Sequence, residues 1–236
     1  MKDILNNAFE KEGFPLTEEE NEKFRIYYDT LIEWNQKINL TAIEEPTEVA
    51  YKHFVDSVCL KRVVKDLKGK TMIDIGTGAG FPGVPLKIME PGLDLTLFDS
   101  LNKRIVFLQE LCQKLGLKDV KAIHGRAEEF GIKPEYRAKY DLVTARAVAR
   151  MPVLLEICLP FVKKGGIFIA LKGPELETEI EESKNALKEL GGKVIDVQQF
   201  TMADGMYTRN LAVVKKIKDT PKKYPRRAGT PQKKPL

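Results

Sequence analysis

The sequence predicts an α/β protein built on a mostly parallel sheet of seven strands, and three observations lead to this prediction. From residue 70 onward, short apolar runs alternate with helical segments, which is the pattern of βαβ units. The first run leads into a stretch with four glycines within eight residues, Gly76 to Gly83. Near the end of the chain, two strand-like segments flank Asp204-Gly205, a turn signal that predicts a terminal antiparallel hairpin.

The first 68 residues predict a helical cap in front of the sheet. Thr17 and Glu20 have the spacing of a capping box, and apolar residues at helical intervals follow them. A second helix is predicted after Pro46, where apolar residues occur among Lys, Glu and Asp. The apolar positions of the two helices are Phe24, Tyr27, Tyr28, Leu31, Ile38, Val49, Phe54, Val58, Leu60, Val63 and Val64. Packing is the expected role of Trp34 and His53 in this cap.

The predicted strands follow the cap in a regular order. They cover residues 71–76, 94–100, 120–125, 140–147, 166–173, 193–200 and 209–216. Crossover helices are predicted at 81–90, 102–116, 127–130 and 151–165, and a long charged helix is predicted over 175–192. Residues 217–236 remain as a C-terminal tail.

The composition excludes several classes of protein. The hydrophobic fraction of 43% and the charged fraction of 31% are those of an ordinary globular protein, and no apolar run approaches the roughly 18 residues of a membrane span. The amino terminus carries acids where a secretory signal needs an apolar stretch, so we expect a cytoplasmic protein. Three widely spaced cysteines and two histidines predict buried free thiols rather than a metal site. We also expect a monomer.

The stretch MIDIGTGAGFPG, residues 72–83, has the form of a strand that turns tightly into a helix, so that bare backbone can approach a ligand. Gly78, Gly80 and Gly83 satisfy the dinucleotide pattern G-x-G-x-x-G, whose helix N-terminus holds a pyrophosphate. Counted from Asp74, the pattern D-x-G-x-G-x-G is that of many S-adenosylmethionine-dependent methyltransferases, and its carboxylate favours a cationic ligand. A third possibility is a turn that serves only helix–strand packing.

The terminal hairpin favours the methyltransferase alternative. A seven-stranded sheet whose last strand inserts antiparallel is the Rossmann-like methyltransferase plan. A dinucleotide dehydrogenase usually continues into a separate substrate domain, and no residues remain here for one. We therefore expect a methyltransferase domain over residues 69–216 with S-adenosylmethionine as its cofactor.

Candidate cofactor contacts lie where the predicted strands end, because a ligand of such a sheet lies across the carboxyl ends of its first strands. Gly76 ends the first predicted strand, and Gly78 follows it. Asp99 ends the second strand and is placed to accept hydrogen bonds from ribose hydroxyls. Ala127 and Glu128 follow the third strand and would pair with the edge of the adenine, although a surface helix cap is the alternative role of Glu128.

The fourth strand ends in TARA, residues 144–147, and this ending limits the reaction. It has neither the Asn/Asp-Pro-Pro-aromatic motif of exocyclic-amine methyltransferases nor the Pro-Cys nucleophile of cytosine-C5 enzymes. The acceptor is therefore expected to be an atom that needs positioning rather than base or covalent activation, such as guanine N7. We predict no catalytic side chain. Arg146 is expected to contact the cofactor carboxylate or RNA, with a structural salt bridge as the alternative.

Over nearly its whole length the sequence resembles the bacterial RsmG (GidB) family, which methylates guanine N7 in small-subunit ribosomal RNA. The matching stretches are WNQKINLT (34–41), HFVDS (53–57), DIGTGAGFPGVPL (74–86), GRAEE (125–129), TARA (144–147), LKGP (171–174) and KYPRRAGTPQKKPL (223–236). The resemblance implies cofactor contacts at Gly76, Phe81, Ala127, Glu128 and Arg146. It also implies that ribosomal RNA or the small ribosomal subunit is the partner.

The net charge of +5 is unevenly distributed, because nine Lys or Arg and one acid lie between Lys215 and Leu236. A basic, proline-rich tail suggests a contact to the phosphate backbone, although such tails are often only solvated ends. We predict RNA contacts at Lys172, Arg226 and Arg227. If the two arginines pin the tail to the protein body instead, they contribute to stability rather than to RNA binding.

Two other functions remain open at this point. A methyltransferase for a small molecule would need a closed apolar pocket and would show no salt-sensitive RNA binding. An RNA-binding ribosome-assembly factor could retain the cofactor pocket without using it. An NAD-dependent oxidoreductase would leave the terminal hairpin unexplained.

Overall fold

The computed structural model describes residues 1–236, and its first part is the predicted helical cap. Helices α1 (Lys2–Lys11) and α2 (Glu18–Ile38) pack against each other. The capping box of α2 is formed, since the Thr17 hydroxyl accepts from the Glu20 amide and the Glu20 carboxylate accepts from the Thr17 amide. An irregular helical stretch follows and consists of α3 (Pro46–Val49), a π-helical turn (Ala50–Val55), α4 (Asp56–Val58) and a 3₁₀ turn (Cys59–Arg62).

The sheet has the seven predicted strands: β1 (Thr71–Ile75), β2 (Asp94–Asp99), β3 (Val120–His124), β4 (Tyr140–Arg146), β5 (Val162–Lys172), β6 (Gly192–Met202) and β7 (Tyr207–Lys216). Their order is β3-β2-β1-β4-β5-β7-β6. The first five strands are parallel, and β7 lies antiparallel between β5 and β6. The chain order reverses between β1 and β4, so a ligand site is expected at the carboxyl ends of these strands.

Helices cover both faces of the sheet. They are α5 (Gly83–Met89), α6 (Asn102–Lys114), α7 (Ala127–Phe130), α8 (Met151–Cys158), α9 (Leu176–Glu182), α10 (Lys184–Leu190) and α11 (Thr230–Lys233). One hydrophobic core joins the cap, α5 and α6 to the sheet, and a second core joins α8, α9, α10 and the tail to it. No helix combines the length and the apolar character that crossing a membrane requires.

The structure differs from the sequence-based expectation at several elements, and one is the helix predicted after Pro46, which is divided into the short helical pieces given above. The helix predicted over 175–192 is interrupted at Ser183, whose hydroxyl donates to the Glu179 carbonyl at 2.6 Å. The crossover helix predicted over 151–165 ends at Cys158, and a 3₁₀ turn (Leu159–Phe161) follows it. Strand β5 therefore begins at Val162 rather than at residue 166. Helix α1 was not predicted as a separate helix. Its N-terminus lacks a side-chain cap, so the sequence has no capping signal there.

Candidate cofactor and acceptor site

The glycine-rich loop after β1 is braced by Asp74, which is fully buried. Its carboxylate accepts hydrogen bonds from the Thr77 hydroxyl (2.7 Å), the Gly83 amide (3.0 Å) and the Thr144 hydroxyl (3.2 Å). Burial raises the pKa of Asp74 to about 6, although these hydrogen bonds act in the opposite direction. Asp74 therefore holds the loop through these hydrogen bonds and is absent from the lining of the two cavities described below, and selection of a cationic ligand by its charge stays a prediction.

Three glycines of this loop, Gly76, Gly78 and Gly80, have positive φ angles. Gly76 has a φ of +69°, and a Cβ at this position would lie 2.6 Å from Cγ2 of Val148. Gly78 has a φ of +60°, and its amide donates to Oδ2 of Asp99 at 2.9 Å. The loop is thus tied to the end of β2, and the structure brings the predicted residues Gly78 and Asp99 together.

A cavity of about 330 Å³ opens at the carboxyl ends of β1, β2 and β3, and we call it the cofactor cavity. Four of the predicted cofactor residues line it: Gly76, Asp99, Ala127 and Glu128. Phe98 and two residues of α8, Val153 and Ile157, supply an apolar surface. The strand-end argument from the sequence therefore located the cavity.

The lining of the cofactor cavity fits S-adenosylmethionine. The apolar surface suits an adenine ring, and the carboxylate of Asp99 suits ribose hydroxyls. Asp99 is buried and also accepts from the Leu101 amide at 2.9 Å, which fixes the carboxylate at the end of β2. Glu128, at the start of the short helix α7, accepts from the Gly229 amide at 3.2 Å. The tail therefore reaches this cavity.

Phe81 and Arg146, which the resemblance implied as cofactor contacts, are absent from the lining of the cofactor cavity. The Phe81 ring stacks on Tyr27 and on His53, with ring centroids 5.3 and 4.7 Å apart. The guanidinium of Arg146 lies 4.9 Å from the centroid of the Phe81 ring. A cofactor contact by these two side chains stays a prediction.

Asp56 is a buried charged residue that the sequence reasoning missed. One of its oxygens accepts from Nη1 of Arg146 at 2.9 Å, and the other accepts from Nε of Arg209 on β7. A single carboxylate thus fixes two arginines that come from different strands. The only signal in the sequence was its place in the HFVDS stretch. In the same stretch, burial and the charge of Arg146 lower the pKa of His53 to about 3, so this histidine is neutral.

A second cavity of about 530 Å³ lies between the cap, the ends of β4 and β5, and the β6–β7 turn. We call it the acceptor cavity. Its lining contains four cationic side chains and no carboxylate: Lys52, Arg146, Lys172 and Arg209. The segment after β4 separates the two cavities, since residues 146 and 147 line the acceptor cavity and residues 148 and 149 line the cofactor cavity.

The three residues predicted to contact RNA have different surroundings. Lys172 is largely buried and pairs with Glu179, with 2.8 Å between Nζ and Oε2. Arg226 pairs with the fully buried Glu156, with 2.6 Å between Nη2 and Oε2. Arg227 is exposed, and its side chain forms no hydrogen bond or ion pair. The ion pair of Arg226 with Glu156 matches the alternative in which this arginine pins the tail to the protein body.

None of the three cysteines lines either cavity. Burial raises the pKa of Cys59 to about 12 and that of Cys112 to about 11, and it raises the pKa of Cys158 well above its usual range. Thiols with such pKa values are protonated at neutral pH and are poor nucleophiles. The two cavities therefore contain no thiolate nucleophile.

Fold and site together define the class of protein, a Rossmann-like S-adenosylmethionine-dependent methyltransferase. A SAM-dependent methyltransferase from Aquifex aeolicus is similar in structure, with a TM-score of 0.52 and 22% identity over 72% of this chain and 93% of that chain. TYW2 from M. jannaschii, solved in complex with AdoMet, has a TM-score of 0.53 and 17% identity over 69% of this chain and 77% of that chain. At these identities the likeness shows the fold alone.

The chain belongs to the GidB family, rRNA small subunit methyltransferase G, whose family model matches residues 20–212. The ribosomal RNA small subunit methyltransferase G of Acetivibrio thermocellus is 54% identical over 224 residues, which are 95% of this chain and 92% of the relative. That of Alkaliphilus metalliredigens is 52% identical over 236 residues, 100% of this chain and 98% of the relative. The family resemblance seen in the sequence is therefore confirmed.

Proposed function

We propose that this chain transfers the methyl group of S-adenosylmethionine to N7 of a guanine in small-subunit ribosomal RNA. Membership of the family and the names of the relatives support ribosomal RNA as the substrate. The observation that carries the proposal is the cationic acceptor cavity, which meets the cofactor cavity at residues 146–149. A base held in the acceptor cavity is adjacent to the cofactor site. The protein would act on RNA in the cytoplasm as a monomer.

The chemistry of guanine fits the charge of the acceptor cavity. Guanine presents O6 and N7 as neighbouring acceptors on one edge. A cationic donor on O6 holds the base and leaves the lone pair of N7 free. Arg209 is suited to this contact, because Nε is bound to Asp56 while its terminal nitrogens form no hydrogen bond.

The reaction requires alignment rather than proton transfer. When it is bound, S-adenosylmethionine supplies a methyl group on a positively charged sulfur. N7 carries no proton, so the chain needs neither a general base nor a covalent nucleophile. Asp99 and the loop after β1 would hold the cofactor, while Arg146 and Arg209, both fixed by Asp56, would position the base.

An exposed apolar side chain lies at the rim of the acceptor cavity. Met206 is 72% exposed and belongs to the β6–β7 turn. The turn is tied to α1, because the Ala203 amide donates to Glu12 at 2.9 Å and Lys11 pairs with Asp204. We infer that Met206 packs against RNA bases when the target guanine leaves its stack.

The proposal is tested by methyl transfer from isotopically labelled S-adenosylmethionine to small-subunit ribosomal RNA, as free RNA and as small subunits. Nucleoside digestion and mass spectrometry should find the label in N7-methylguanosine at a single position. The control is an Asp99→Ala variant, which should lose cofactor binding and labelling together. Label on another atom would contradict the choice of N7. Cofactor binding without transfer to any form of RNA would favour the assembly-factor alternative.

A further inference from the structure

The C-terminal tail reaches the cofactor cavity, although nothing in the proposed reaction uses it. Gly229, Pro231 and Gln232 line this cavity together with Gly76 and Asp99. These three tail residues follow no strand end, and they are not among the cofactor contacts that the fold or the family resemblance predicted. The tail therefore supplies one wall of the cavity, and the strand ends, α7 and α8 supply the others.

Two arginines hold this wall in place. The amide and the guanidinium of Arg226 donate to both oxygens of Glu156 on α8, at 2.6 to 3.1 Å. The guanidinium of Arg137 donates to the carbonyls of Thr220 and Tyr224, at 2.7 and 2.9 Å. Because Glu156 is fully buried, its pairing with Arg226 fixes the tail at a defined place on α8.

The wall also contacts the residues at the end of β3. The Gly229 amide donates to Oε1 of Glu128 at 3.2 Å, and this bond orients a side chain that lines the cavity. Gln232 lines the same cavity and is exposed, and its amide forms no hydrogen bond within the chain. A glutamine amide donates and accepts at once, which is the combination that N6 and N7 of adenine require.

We propose that residues 229–232 are part of the cofactor site and that the side-chain amide of Gln232 hydrogen-bonds to the adenine of S-adenosylmethionine. Gly229 acts through Glu128 as a positioning residue. The inference concerns the cofactor alone, so it holds whichever atom of the RNA accepts the methyl group.

Calorimetric titration without RNA tests the contact, with two ligands that differ only at the base. S-adenosylhomocysteine carries the N6 amine, and S-inosylhomocysteine carries an oxygen in its place. The full-length chain should prefer the adenine form. Gln232→Ala should bind that form about 5- to 10-fold more weakly and should lose most of the preference. Gln113→Ala removes an exposed glutamine of α6, and Lys233→Ala alters the tail outside the cavity lining, so both should bind like the wild type.

Removal of residues 229–236 tests the wall as a whole. The shortened chain should bind both ligands about 10-fold more weakly or worse, and its circular dichroism spectrum shows whether it is folded. If the shortened chain is folded and binds with wild-type affinity, residues 229–232 are not part of the cofactor site. An equal loss for both ligands in Gln232→Ala, or no loss, would overturn the contact to adenine. Since RNA is absent from these titrations, a failure of the proposed methyl transfer is seen separately, in the labelling assay.

Discussion

Three fully buried carboxylates, Asp56, Asp74 and Glu156, determine how the site is held together. Asp56 fixes the two arginines of the acceptor cavity, Asp74 braces the loop after β1, and Glu156 anchors the tail. A buried carboxylate is costly unless polar partners compensate for the loss of water. Asp56 and Glu156 pair with arginines, and Asp74 accepts three hydrogen bonds. At the scale of single residues, we therefore expect the largest effects where one partner of these groups is removed.

Replacing Asp74 with Asn should remove a pH dependence of stability. The pKa of Asp74 is about 6 in the folded chain against an ordinary 3.8, so the folded state keeps a proton that the unfolded state releases between these values. The free energy of unfolding should therefore fall as pH rises from about 4 to about 6, by about 3 kcal/mol for this group. Urea unfolding of wild type and Asp74→Asn across this range measures the difference. If the difference in free energy of unfolding between the two proteins does not change with pH, the pKa of Asp74 is not raised in the folded chain.

Arg226 and Arg227 are neighbours with opposite expected roles. Arg226→Ala leaves Glu156 buried without its cationic partner, so it should lower the free energy of unfolding by about 3 to 5 kcal/mol. Arg227→Ala should change stability by less than about 0.5 kcal/mol and, if Arg227 contacts phosphate, should reduce the salt dependence of RNA binding by about one unit of slope. Urea unfolding and RNA affinity at several salt concentrations measure both effects. Equal stability losses would refute the anchoring role of Arg226.

At the scale of elements, the terminal hairpin supplies part of the acceptor cavity. Strand β7 carries Tyr207 and Arg209, and the turn before it carries Met206. The cap contributes to the same cavity from the other side, through Lys52 and His53. In the sequence, the hairpin only indicated the class of fold. In the structure, it also contributes residues to the proposed RNA site.

Arg209→Met should lower kcat/KM for RNA about 10- to 100-fold and should leave the affinity for S-adenosylhomocysteine unchanged. The physical reason is that Arg146 still pairs with Asp56, so the cofactor side remains intact while a donor in the acceptor cavity is lost. The matched control is Lys193→Met, which changes an exposed side chain of β6 outside the acceptor cavity and should leave both quantities unchanged. Methyl-transfer kinetics and calorimetry separate the two quantities. Weakened cofactor binding in Arg209→Met would count against an acceptor-side role.

At the scale of the whole molecule, the cap and the sheet share one hydrophobic core. The Tyr27 hydroxyl donates to the Ala79 carbonyl at 2.6 Å, which ties α2 to the glycine-rich loop. Trp34, the only tryptophan, donates to Glu110 of α6 at 3.1 Å. The cap is therefore continuous with the methyltransferase fold, and the division at residue 68 marks a change of architecture within a shared core.

We expect the cap and the sheet to unfold together. Fluorescence of Trp34 reports on the contact between α2 and α6, while circular dichroism reports on the whole chain. In a urea titration both signals should give the same midpoint, because a shared core makes unfolding cooperative. An earlier transition in fluorescence would show that the cap is an independent unit.

The sequence by itself determined most of the elements and which strand ends meet at one cavity. Apolar periodicity located seven strands, the Asp204-Gly205 turn signal located the hairpin, and strand ends identified Asp99, Ala127 and Glu128 as residues of one cavity. These inferences succeeded because period, turn chemistry and the geometry of parallel sheets are encoded within short stretches of chain.

Only the tertiary structure decided which charged groups pair and where the tail lies. Glu156 and Arg226 are 70 residues apart, Glu128 and Gly229 are 101 apart, and Asp56 and Arg209 are 153 apart. A sequence shows that a carboxylate is present, but it does not show whether the carboxylate will be buried against an arginine or hydrated. That outcome depends on the packing of distant segments. Packing decided that Asp74 holds the loop after β1, that Arg226 fixes the tail to α8 and that the basic tail lines the cofactor cavity.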